Sequence, residues 1–343
     1  MAGKTVRYHK IGYSTEALDR LLADLFIESH ATPPTEIVFD LDATDIPLYG
    51  HQPERFFHGY YGNYCYLPLY IFAGEQLLCA RLRPANQDAA AGSVEEVSRI
   101  VTQLRERWPE ARIVLRADSG FCREELMAWC EAHRVDYVFG LARNQHLRRI
   151  IGKQMHDAQM QHQATGKPAR VFAEFYYRTH KSGSRARRVV AKAEYPDKGE
   201  NPRFVVASLS ADQWAAQDLY EKFYCARGEI ENRIKEQMCL FADRLSTNEI
   251  KGNQLRLYLS LHWLIVGRGP APPGSEGHRM AQAQVDTIRL RLFTIGTVVG
   301  ISVRRIVLQM TPHIPGRIFT LIPTAPYAAE HSPPLRQPLA HLG

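Results

Sequence analysis

The chain has 343 residues, 45% of them hydrophobic, so it can bury a substantial core, and a disordered protein is excluded. Its formal net charge of +7 favours an anionic partner only weakly. The six cysteines (Cys65, Cys79, Cys122, Cys130, Cys225, Cys239) form no CxxC pair and have no His pair at zinc spacing, which argues against a zinc site or a disulfide framework and for reduced thiols in the cytosol.

The N-terminus lacks the apolar core of a signal peptide. Residues Ser14 to Ser29 place Leu18, Leu21, Leu22, Leu25 and Phe26 at helical spacing, and Pro33-Pro34 ends that segment. EIVFDLDAT then alternates Ile37, Phe39 and Leu41 against Val38, Asp40 and Asp42, so both aspartates share one face of a strand that is apolar on the other. YCYLPLYIFAG and EQLLCARLRP are predicted as two strands joined at Ala73-Gly74, followed by a helix from Gly92 to Trp108. ARIVLRADSG, CREELMAWCEAHR and VDYVFGLARN read as strand, helix and strand, a parallel pair with a crossover.

A polar helix over Gln145 to Gln163 leads into three strand-like runs, RVFAEFYYRTH, RARRVVAKAEY and RFVVASLS. A long helix is predicted from Ala215 through Ala242, with a core stripe of Leu219, Phe223, Ala226, Ile230 and Ile234, and another from Gly252 to Val266. The apolar run at Leu257 to Val266 is broken by Ser260 and His262 and is too short to span a bilayer, so no membrane role is expected. GRGPAPPGSEG reads as a linker, followed by a helix (Met280 to Phe293), a strand (Gly300 to Met310) and, after Pro323, a disordered tail.

Charge is unevenly placed. Between Arg143 and Lys192 there are twelve Lys or Arg and only two acids, Asp157 and Glu174, which suits nucleic acid as well as it suits a solvated helix and hairpin. Asp42 and Asp118 end strand-like runs, where open α/β sheets bind ligands; each taken alone reads more readily as a turn or cap aspartate. On the long helix, Tyr224, Arg227, Glu231 and Lys235 align away from the core stripe, as a functional face or as a solvated one with a Glu231–Lys235 ion pair.

FDLDATDIPLYG, RFFHGYYGNYCYLPLYIF, RADSGFC, DYVFGLARN and YCARGEIENRIKEQ resemble the insertion-sequence transposases of the 1380 family, in the DDE superfamily. The resemblance spans about Arg7 to Val266 and resumes over Gln282 to Leu308. It implies an α/β fold with an RNase H-like mixed-sheet core and a β-rich insertion between the second Asp and the Glu. It further implies Asp42, Asp118 and Glu231 as catalytic, metal-holding acids, with Asp40 and Asp45 as nearby alternatives to the first. Tyr224, Arg227 and Glu231 fit the superfamily's tyrosine, arginine, glutamate signature. Met238 stands where its lysine is expected, and Lys235, one turn earlier, is the nearest cation.

Three carboxylates without His or Cys form a hard oxygen site, suited to Mg²⁺ or Mn²⁺ and to two-metal phosphodiester cleavage. Tyr224 and Arg227 would position the phosphate. The resemblance gives Arg148, Arg149, Arg185, Arg187 and Arg188 of the insertion as phosphate contacts on the transposon end. Arg143 and Asn144 would lie near the site, unless Asn144 simply caps a helix. Tyr60, Tyr61, Tyr64 and Tyr66 are expected to pack in the sheet rather than stack on bases.

The expected division is a helical remnant (1–34), the first part of the core (35–145), the insertion (146–212), the helical completion carrying Glu231 (213–266), a linker (267–277), a C-terminal segment (278–322) and the tail (323–343). Partners are double-stranded DNA, as transposon ends and target, and a second copy of the chain, in a bacterial cytosol and at the nucleoid. Relatives carry a further N-terminal region, so the expected activity is strand cleavage and transfer, with a truncated, catalytically silent DNA-binding or subunit-mixing inhibitor as the alternative. A structure-selective nuclease on the same fold is a third reading.

Overall fold

A computed structural model describes residues 12–179, 183–239, 243–267, 297–302, 305–310 and 319–321. Two compact units, Met1–Ala281 and Gln282–Gly343, divide the chain. The first unit begins with α1 (Thr15–Glu28), whose N-terminus is capped by Ser14 Oγ accepting from Ala17 N at 3.1 Å. It continues with β1 (Glu36–Ala43), β2 (Ile46–Pro47), β3 (Phe56–His58), β4 (Asn63–Tyr66), β5 (Leu69–Ala73), β6 (Gln76–Arg81), α2 (Ser93–Arg107), β7 (Arg112–Ala117), α3 (Glu124–Ala132) and β8 (Asp136–Leu141). Next come α4 (Gln145–Ile150), α5 (Gly152–Thr165), β9 (Ala169–Tyr177), β10 (Arg187–Tyr195), β11 (Arg203–Ala207), α6 (Ala216–Asp218), α7 (Gly228–Gln237) and α8 (Ile250–Gly267).

Eight strands form one sheet in the order β6-β5-β1-β7-β8-β11-β10-β9. β1, β7 and β8 run parallel, and the remaining pairings are antiparallel. This mixed α/β sheet is compatible with an RNase H-like core. The basic stretch expected as a β-rich insertion does not form a sheet of its own, because β11 pairs with β8 and carries β10 and β9 onward as an extension of the main sheet.

The period-two pattern of β1 explains which side faces which layer. Ile37, Phe39 and Leu41 join Ile113, Leu115, Ala117 and Phe139 in a core covered by Val97, Ile100 and Leu104 of α2 and Leu126 and Cys130 of α3. On the opposite face, Val114, Val138, Val190 and Val205 pack under Leu219, Tyr220 and Phe223, while Tyr70, Phe72 and Leu77 pack under Ile230, Ile234 and Leu257. Asp40, Asp42 and Arg116 stand on this second face by strand parity.

In the first unit three expected elements differ. YCYLPLYIFAG is broken by Pro68, which has no N–H to give a ladder, so β4 turns into a small sheet ordered β2-β4-β3 while β5 enters the main one. The polar helix is two helices, interrupted at Ile151 just before Gly152. The long helix is also discontinuous: after α6 it widens into a π turn over Leu219–Tyr224, tightens into a 3₁₀ turn over Cys225–Arg227, and only then continues as α7. Widening the helix breaks the i, i+4 stripe, so Leu219, Phe223, Ile230 and Ile234 are buried as expected but Ala226 is exposed.

In the second unit, β12 (Thr297–Ser302), β13 (Arg305–Met310) and β14 (Phe319–Leu321) form an antiparallel sheet, so a hairpin replaces the single strand expected from Gly300 to Met310. The expected helix over Met280 to Phe293, residues 268–277 of the linker and the tail after Pro323 lie outside the described residues. Among the described residues, no helix is long and apolar enough to cross a membrane.

Candidate active site

The register of β1 against β7 pairs Leu41 with Ala117, so Asp42 and Asp118 are next-neighbour positions at the carboxyl ends of two parallel strands. Ligands bind at that end of such sheets. Asp118 Oδ1 accepts from Gly120 N at 2.8 Å, an Asx turn that fixes the carboxylate as the chain leaves β7. Asp42 Oδ1 accepts from Ala43 N at 2.9 Å, and its Oδ2 lies 3.8 Å from Nη1 of Arg227. Glu231 is exposed on α7, one residue from the buried Ile230 that seats the helix.

Charge accumulates on Asp42. Burial raises its carboxyl to about 6, Arg227 opposes the rise, and the negative charges of Asp118 and Glu231 add to it. Both other acids thus act electrostatically on Asp42. Arg227 Nη1 is buried without a hydrogen-bond partner among the described residues.

The other two aspartates near Asp42 are already engaged. Asp40 receives a bidentate pair from Arg116, with Nε to Oδ1 at 2.6 Å and Nη2 to Oδ2 at 2.7 Å. Arg116 also donates through Nη1 to the Phe223 carbonyl at 2.6 Å and lies over the Phe223 ring at 5.4 Å. One guanidinium therefore ties β1 to the end of the π turn. Asp45 accepts from Asn63 Nδ2 at 2.9 Å.

The π turn sets the position of Tyr224, whose phenol is raised by burial first, lowered by Arg227 and raised by Asp118. Its hydroxyl reaches the backbone of β8 at Gly140: a Cβ there would stand 2.6 Å from Tyr224 Oη, 2.9 Å from Ser119 N and 3.2 Å from the Asp118 carbonyl carbon. Gly140→Ala is accordingly expected to displace Tyr224 or the Asp118 turn and to cost roughly 1–3 kcal/mol of stability. Thermal unfolding checks this against Gly152→Ala, whose Cβ would meet nothing within 4 Å; equal melting temperatures for the two variants would refute the contact.

Residues 4–323 match the family described as transposase DDE domain group 1. The chain belongs to this transposase family. No curated protein matches it. Membership brings DNA transposition and DNA recombination as the function of the fold.

The structure distributes the transposase's basic residues unevenly. Arg187 is buried, with Nη1 on Glu124 at 2.6 Å and Nε on Glu131 at 2.7 Å. Arg188 is buried as well, bonded to Glu174 at 2.6 Å and to the carbonyls of Leu209 and Trp214. The donors of both side chains are engaged inside the fold. Asn144 is the N-cap of α4, its Oδ1 accepting from Leu147 N at 2.8 Å, so the capping alternative is the one observed. Arg148 pairs with Glu200 at 2.6 Å and Arg185 approaches Glu131 at 3.7 Å, both still well exposed.

Arg143 and Arg149 are exposed, and among the described residues neither makes an ion pair; Lys235 is exposed in the last turn of α7. Tyr66 is fully buried as sheet packing requires, but Tyr60 and Tyr64 are exposed, at 87% and 47%. Sequence reasoning passed over Arg116, Gly140 and Tyr70. Of these, only the glycine inside an otherwise apolar strand carried a signal of close approach.

Proposed function

We propose that this transposase domain cleaves and joins DNA strands at the ends of an insertion sequence, with Asp42, Asp118 and Glu231 as its acids. The observation that carries the reading is the adjacency of Asp42 and Asp118 at the carboxyl ends of β1 and β7, with Arg227 against Asp42. The donor set fits a divalent hard cation, Mg²⁺ or Mn²⁺: it consists of carboxylate oxygens, and the like charge that helps raise Asp42 to about 6 is relieved by a cation. Among the described residues no three acid, His or Cys groups stand close enough to enclose an ion as they are, so the fit rests on donor chemistry and charge.

Asp42, Asp118 and Glu231 would hold the metal, which when bound supplies an activated water or 3′-hydroxyl and stabilises the leaving oxygen. Arg227, whose Nη1 is buried 3.8 Å from Asp42 Oδ2 with no hydrogen bond among the described residues, would donate to a non-bridging phosphate oxygen. Tyr224, held against the Asp118 turn, fixes the helix that presents Arg227 and Glu231. Lys235, one turn beyond Glu231, is assigned to a neighbouring backbone phosphate.

Incubating the chain with Mg²⁺ and DNA carrying its own element's ends, then mapping nicks, tests the reading. Nicks at the element boundary are expected; binding without nicks would favour the catalytically silent inhibitor. Arg143 just after β8 and Arg149 on α4, with the exposed Arg148 and Arg185, form the proposed DNA track, and two copies of the chain are proposed to bridge two ends. Charge reversal of Arg143 and Arg149 together is expected to weaken duplex binding and to reduce the slope of log Kd against log salt by about 2. An unchanged slope would assign both residues to a solvated face.

A further inference from the structure

A phenol without a hydrogen-bond partner among the described residues stands beside the candidate metal site. Tyr70 lies directly opposite Asp42 in the antiparallel register of β5 against β1, so both side chains rise from the same face of the sheet. Its ring is fully buried in the cluster that includes Ile230 and Ile234 of α7, the helix that carries Glu231. Its hydroxyl is buried without a hydrogen-bond partner among the described residues. A phenol keeps its proton at neutral pH, so the hydroxyl is available as a donor.

A buried hydroxyl without an acceptor is costly, and phenylalanine would fill the same space without that cost. The anionic side chain directly across the ladder from the phenol is Asp42, whose Oδ1 accepts from Ala43 N and whose Oδ2 lies 3.8 Å from Arg227. We infer that Tyr70 is a positioning residue for Asp42: its hydroxyl donates to the Asp42 carboxylate when that group turns to hold a divalent cation, fixing the orientation of the oxygen that faces the metal. Carboxylates that bind metals are ordinarily held in this manner by a hydrogen bond from behind. The inference rests on the proposed role of Asp42 in metal binding.

The test is Tyr70→Phe, with Mn²⁺ binding measured by calorimetry in the presence of duplex DNA carrying the element's end, and thermal unfolding measured alongside. The expected result is a melting temperature equal to or above that of the unchanged chain, together with Mn²⁺ affinity weakened by roughly 10- to 100-fold. In an Asp42→Asn background the same replacement should produce no further loss of affinity. Unchanged Mn²⁺ affinity in Tyr70→Phe, whatever its melting temperature, would overturn the inference while leaving the acids' role intact. Full Mn²⁺ binding by Asp118→Asn would instead overturn the metal reading and this inference with it.

Discussion

Replacing Asp118 with asparagine is expected to abolish Mg²⁺-dependent cleavage of element-end DNA while leaving duplex binding unchanged. Asparagine keeps the size of the side chain and an Oδ1 that can accept from Gly120 N, so the turn that ends β7 persists. What disappears is the anionic donor beside Asp42. The loss of cleavage should exceed the roughly 10- to 100-fold typical of groups that only orient a metal ligand. Glu231→Gln should behave likewise and leave the melting temperature unaltered, because Glu231 is exposed on α7. Nick mapping on end DNA, with anisotropy on the same duplex, separates chemistry from binding. Wild-type cleavage by Asp118→Asn would refute the assignment.

The legible parts of this fold were those governed by local periodicity. β1 shows Ile37, Phe39 and Leu41 on one side and Asp40 and Asp42 on the other, and that alternation alone placed the two aspartates together. Less legible were features decided in space. The run from Arg143 to Lys192 looks strongly basic because the acids that neutralise it, Glu124, Glu131, Glu194 and Glu200, lie outside that interval in the chain. Sequence proximity counts charge, whereas the fold pairs it. The π turn at Leu219–Tyr224 was equally hidden, since its apolar residues sit at spacings an ordinary helix would also satisfy. Its reason is tertiary: the Phe223 carbonyl bonds Arg116 on β7.

That same arginine decides between the two aspartates of β1, through stability measurements of opposite sign. Asp40→Asn strips the charge from a pair in which Asp40 and Arg116 are 8% and 11% exposed, leaving a buried guanidinium without its counter-ion. Removing one partner of such a pair typically costs about 3–5 kcal/mol, and here it should also loosen the π turn that seats Tyr224. Asp42→Asn is expected to do the reverse. The folded carboxyl is raised from 3.8 to about 6, so between those values the folded state binds the proton more tightly than the unfolded chain, and stability falls as pH rises through the interval. Above about 6 the whole penalty is present. The amide removes it, so the variant should be more stable at pH 7 by about 1–3 kcal/mol and lose that slope. Denaturant unfolding at pH 4, 5, 6 and 7 measures both effects. If Asp40→Asn proved the stabilising change and Asp42→Asn the damaging one, their roles would exchange, and Asp40 would become the first acid of the site.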